Sequence, residues 1–161
     1  MDYVVITTIE APLRRELGRT TVGHFATTDG QQPSVVPVCF AVLGSTIYHA
    51  IDAKPKSGNP LALRRLRNLR SNPGAAFLID HYEADWRRLW WVLVRGRVRL
   101  LDTGAEHRRA IAALKRKYPQ YRQDLPLDDG ALVIALDVQR LQHWRSSSPA
   151  RPRGRRPDPP A

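Results

Sequence analysis

From Val94 to Leu100, Val94, Gly96, Val98 and Leu100 alternate with Arg95, Arg97 and Arg99. That period of two marks a strand with one face buried and the other meeting water or an anion. It anchors a predicted strand over Trp90–Leu101. Five further runs read the same way. Val22–Thr28 ends at the turn signal Asp29-Gly30, Ser34–Val42 follows, and the tight turn Leu43-Gly44-Ser45 leads into Thr46–Ile51. Ala75–Tyr82 is a fourth strand, and Ala131–Trp144 closes the set with Leu132, Ile134, Leu136 and Val138 on one side. Two segments carry helical spacing instead. One starts at Pro60, which suits a first helical turn, and runs to about Ser71 with Leu63, Leu66 and Leu69 on its apolar side, where Asn72-Pro73 stops it. The other is Glu106–Tyr118, with Ala110, Ile111 and Leu114 inside. Six antiparallel strands broken by short helices predict a mainly β, α+β barrel rather than a doubly wound sheet.

Composition bounds the picture. The chain has 161 residues, enough for one domain with a real core. No apolar run reaches the ~20 residues of a membrane helix, and the opening MDYVVITTIEAPLRRE lacks the layout of a secretion signal, so a soluble cytoplasmic protein is expected. Cys39 is the single cysteine, which excludes an intrachain disulfide and a cysteine-cluster metal site; in its apolar surroundings a buried inert thiol is expected. Net charge is +11, of which Arg145–Ala161 carries +4. That last stretch, rich in proline and arginine with nothing large to bury, reads as a disordered tail at 145–161 behind a folded domain at 1–144. The remaining +7 suggests an anionic partner: nucleic acid, a membrane surface or a phosphorylated cofactor.

Cofactor-free catalytic constellations are absent: there is no GxSxG elbow, no GxxxxGK[ST] loop and no GxGxxG after a strand. The five histidines show no ligand spacing, and His81 with Glu83 and Asp85 reads as a polar loop rather than a metal site. No helix-turn-helix, zinc-finger or RNP pattern points to specific nucleic-acid recognition. Two features remain. Lys54 and Lys56 flank Pro55 directly after a strand, and Arg64, Arg65 and Arg67 follow on the next helix, a set able to hold phosphate or carboxylate groups, or else a solvated charged face. Trp86, Trp90 and Trp91 concentrate three of the four tryptophans at one loop–strand junction, suited to a core, a dimer interface or a wall against a planar ring.

The series VVPVCFAV, IYHAIDAKPKS, LRRLRNLRSNP, DHYEADW and LWWVLVRG resembles the pyridoxamine 5′-phosphate oxidase-like split barrels, and within them the F420-dependent branch. The resemblance spans roughly residues 20–144 and implies a six-stranded split barrel, a two-fold homodimer and two cofactor grooves between subunits. It implies that Val35, Val36, Pro37 and Val38 lie along a tricyclic ring with backbone groups facing it. Lys54 and Lys56 would take a phosphate with Arg64 nearby, and Trp90 and Trp91 would reach the ring from the partner. Members often carry arginine where Thr21 and Leu93 stand, and arginine or threonine where Ser57 stands. The activity implied is hydride transfer between coenzyme F420 and a small organic substrate, with an FMN-dependent oxidase or reductase, or a non-catalytic flavin-cofactor binder, as alternatives. The coenzyme would supply the hydride, so no catalytic acid or base is named.

Overall fold

A computed structural model describes residues 4–6, 8–52 and 63–146. Eight strands and three α-helices follow one another as β1 (Val4–Ile6), α1 (Ala11–Arg19), β2 (Gly23–Thr28), β3 (Pro33–Val38), β4 (Ala41–Leu43), β5 (Thr46–Ala50), α2 (Arg64–Ser71), β6 (Gly74–His81), β7 (Trp90–Leu101), α3 (Gly104–Lys117) and β8 (Val133–Arg145). All strand pairs are antiparallel, in the order β3-β2-β6-β7-β8-β5-β4, with β1 also on β8. The sheet curls into a split barrel.

The alternation seen in the sequence fills the barrel. Phe25, Phe77, Ile79, Val92, Val94, Leu136 and Leu141 point inward and are buried, and Leu17 of α1 with Leu66 and Leu69 of α2 closes the core. Each such side chain contributes roughly 1.5–3 kcal/mol on burial. A second core lies on the other side of β4, β5 and β8, where α3 sets Ala110, Ile111 and Leu114 against Tyr48, Val133 and Ala135. The first half of β8 is therefore buried on both faces. The Tyr118 hydroxyl ties α3 to the break between β3 and β4: it accepts the Phe40 N–H at 2.9 Å and lies 2.9 Å from the Thr21 carbonyl.

Two glycines are dictated by geometry. Gly44 turns β4 into β5 at φ +60°, a conformation that favours glycine. Gly96 sits at the bulge where β7 slips against β8, and a Cβ there would lie 2.0 Å from the Asp137 carbonyl oxygen.

The barrel and its helices match the sequence reading, with corrections of detail. Among the described residues there are eight strands rather than six, because β1 forms and the run Ser34–Val42 breaks at Cys39-Phe40 into β3 and β4. Helix α1 has only Leu13 and Leu17 to pack, too faint a stripe to announce itself. The helix expected from Pro60 is described from Arg64, with Leu63 as its cap. Leu100 is exposed rather than buried, because the buried face of β7 ends at Val98. Cys39 is half-buried. β8 extends to Arg145, and the Ser146 N–H donates to the Leu89 carbonyl; the tail from 147 onward lies outside the described residues.

Candidate cofactor site

β3 is an edge strand: among the described residues it pairs with β2 alone. Its two faces divide by parity, with Pro33, Val35 and Pro37 exposed and Ser34, Val36 and Val38 half-buried. Val36 and Val38 pack on the barrel core, so Pro33, Val35 and Pro37 present their side chains outward. Backbone donors and acceptors along the free edge have no partner strand to satisfy them.

Pairing registers carry that outward row across the sheet. Pro37 lies opposite His24, His24 opposite Leu78, and Leu78 opposite Leu93. In the next row Asp80 lies opposite Trp91, and Trp91 opposite Trp144. His24, Val35, Leu78, Asp80, Tyr82, Trp91 and Leu93 line a groove of about 510 Å³ on this outer face, with mostly apolar walls. Val35 is 60% exposed and Tyr82 67% exposed beside it. Its polar element is the pair of His24 and Asp80, with the imidazole Nδ1 3.5 Å from the carboxylate.

The two tryptophans do not act together. Adjacent residues of a strand point to opposite faces, so Trp91 joins the outer groove while Trp90 enters the barrel core at 8% exposure. The edge of Trp90 stacks on His81 and reaches a neighbouring charged groove of about 740 Å³ that also holds Arg19, Arg88 and Arg145. Trp86 stands on a short turn over Trp86–Arg88 and is exposed.

The helix arginines divide similarly. Arg64 is exposed and donates to the Gln32 side chain at 2.9 Å, which fixes it at the entrance to β3. Arg67 is exposed and Arg65 is turned inward, its Nε buried without an acceptor. Burial lowers the pKa of Arg65, opposed by the nearby Asp52 carboxylate. Beside it His49 is fully enclosed against Phe25, and burial, reinforced by the Arg65 charge, pushes its pKa down to about 3. Lys54 and Lys56 lie outside the described residues; the chain leaves β5 at Ala50 and re-enters at Leu63, the cap of α2.

The outer groove thus offers flat, mostly apolar walls beside a strand edge with no partner among the described residues. No group of histidine, cysteine, aspartate or glutamate among the described residues could hold a metal, and the carboxylates near His81 instead pair with Arg87 and Arg88. Sequence reasoning missed His24, Leu78 and Asp80. Only the strand registers reveal that they share a face with Val35 and Trp91.

A family model described as pyridoxamine 5′-phosphate oxidase matches residues 10–145. The chain belongs to that family. Solved structures agree on the fold. A heme-binding protein from Mycobacterium smegmatis is 23% identical with a TM-score of 0.64, over 81% of this chain and 51% of that one. An FAD-binding protein from Mesorhizobium loti is 19% identical with a TM-score of 0.59, over 88% and 96%. An F420 reductase is 20% identical with a TM-score of 0.54, over 78% and 91%. No curated protein matches the chain. No helix among the described residues is long and apolar enough to cross a membrane.

Proposed function

We propose that this pyridoxamine 5′-phosphate oxidase-like protein is an F420-dependent oxidoreductase, transferring a hydride between the deazaflavin and a small organic substrate. The observation that carries the reading is the outer groove of Val35, Leu78, Trp91 and Leu93 beside the open edge of β3. When bound, the coenzyme supplies the hydride, and the chain supplies position and electrostatics. Trp91 and Leu93 would wall the ring, and the backbone of Val35–Val38 would meet its polar rim. Lys54 and Lys56 would hold the phosphate, with Arg64 beside them.

The same reading calls for a homodimer of cytoplasmic type. Val35 and Tyr82 expose apolar surface at the groove, and a second copy laid there would cover it and complete the groove. A stable dimer of this kind buries above ~2,000 Å² in total. Sedimentation is expected to show a species of twice the 18.3 kDa chain mass at micromolar concentration. A monomer that still binds cofactor would refute it.

F420 is preferred to FMN because the deazaflavin carries a phosphodiester and an oligoglutamate tail. The basic set Lys54, Lys56, Arg64 and Arg67 exceeds what one FMN phosphate requires. The pyridoxamine 5′-phosphate oxidase family match keeps an FMN-dependent enzyme as the second reading. Absorbance after purification, with added F420, FMN and heme offered in turn, decides between them. Uptake of F420 with turnover of its reduced form against a panel of quinones, enones and nitroaromatics is the expected result. A tightly held FMN or heme spectrum with no F420 uptake would overturn the assignment.

A further inference from the structure

We propose that the groove between α1, β4 and α3 is a second ligand site, built to take a phosphate group. It shares no lining residue with the outer groove on β2, β3, β6 and β7. Arg14 and Gly18 stand one turn apart on α1, Ala41–Leu43 form the floor, and Ala113, Arg116 and Lys117 come from the end of α3. Its volume of about 340 Å³ falls at the small end of metabolite sites.

Every charged residue of this lining is a cation, and among the described residues none of the three pairs with a carboxylate. Arg87, Arg88, Arg99 and Arg145, by contrast, each have a carboxylate oxygen within 2.9 Å. Lys117 is held over the Phe40 ring, its ammonium 3.7 Å from the centroid, and donates to the Leu17 carbonyl at 3.2 Å. Burial pushes its pKa down to about 8. Arg14 donates through Nη2 to the Ile9 carbonyl at 2.9 Å, yet its Nε is buried with no acceptor. Basic residues at a helix C-terminus answer the helix dipole, which accounts for Arg116 and Lys117 on α3. It does not account for Arg14, brought in from another helix.

Positive charge partly withdrawn from water, as at Arg14 and Lys117, is unfavourable until an anion joins it, and Arg116 adds an exposed guanidinium at the rim. Two guanidiniums and one ammonium exceed the single charge of a monocarboxylate and match a dianionic phosphate, which guanidinium forks bind in bidentate fashion. The small residues leave the space for it: a Cβ on Gly18 would meet no atom within 4 Å.

Calorimetric titration of the full-length Lys54→Ala, Lys56→Ala protein with inorganic phosphate, at ionic strength matched with chloride, tests this directly. That background removes the lysines assigned to the cofactor, so the outcome is independent of the cofactor reading. One phosphate per chain is expected. Adding Arg116→Gln, an exposed change that leaves the fold alone, weakens it roughly tenfold or more. Gly18→Glu places a carboxylate in the groove; it abolishes phosphate binding and raises Tm above that of Gly18→Ala. Absence of phosphate binding in the lysine-free background, or an affinity indifferent to both Arg116→Gln and Gly18→Glu, would overturn the proposal.

Discussion

Replacing His49 by leucine should make the protein less sensitive to acid. The imidazole is 2% exposed on β5, stacks edge-on against Phe25 at 4.8 Å, and neither ring nitrogen has a hydrogen-bond partner. It therefore folds neutral, with a pKa of about 3 against 6.5 in the unfolded chain. Between those values the unfolded state binds the extra proton, so stability is fully present above pH 6.5 and declines as pH falls toward 3. The slope approaches 1.4 kcal/mol per pH unit, which makes the loss between pH 7 and pH 5 about 2 kcal/mol. For a domain of this size that is about 4–8 °C in Tm. Urea unfolding of wild type and His49→Leu at pH 7, 6 and 5 isolates the contribution. Carboxylates such as Glu106 and Asp137, and the partly buried His143, titrate in both proteins and cancel in the difference. The leucine side chain forfeits no hydrogen bond, so at pH 7 the variant should be at least as stable as wild type. Parallel stability–pH curves for the two proteins would refute the reasoning: His49 would then have a proton acceptor or water access that the fold does not provide.

Four further outcomes are expected. Gly96→Ala should lose ~2–3 kcal/mol in denaturant melts, because its Cβ meets the Asp137 carbonyl at 2.0 Å and backbone cannot step aside. Arg99 joins Glu106 and Asp137 at 2.8 and 2.6 Å but is 44% exposed, so Arg99→Met should cost no more than ~1 kcal/mol, and less in high salt. Trp91→Ala should weaken cofactor binding tenfold or more in a fluorescence titration, whereas Trp90→Ala should instead lower Tm, since it empties core volume. Lys54→Ala or Lys56→Ala should weaken F420 binding about ten- to a hundred-fold while Tm holds; equal affinity in the double variant would return both to a solvated loop.

How far the sequence could be read depended on whether one face of an element differed from the other. β7 was legible residue by residue from Val94 to Val98, because Arg95 and Arg97 mark the solvent positions between buried ones there. β5 was legible as a strand but not by face, since Ile47, Tyr48, His49 and Ala50 are all buried between the barrel core and α3, whereas on β8 the row Leu132, Ile134, Leu136 and Val138 was read as one side and does pack on the barrel core. That double burial also hid His49, which looks like any polar residue in a strand. Trp90 and Trp91 were grouped by proximity, yet neighbouring strand positions cannot share a face, and the alternation with Val92 and Val94 already assigned Trp90 to the core. The outer groove needed β2, β3, β6 and β7 in register, a long-range property that no local pattern encodes.

The open edge of β3 has a consequence for how the protein avoids its own kind. Proline lacks an N–H, and Pro33 and Pro37 share a parity with Val35. The ladder to β2 keeps its donors if those three residues are the ones turned outward, so the rim then exposes three carbonyls and the Val35 N–H as its single donor. A strand from another molecule arriving there would find alternate rungs missing, and a growing intermolecular sheet would stall. The two prolines thus act as gatekeepers, making the rim a poor template for a growing intermolecular sheet.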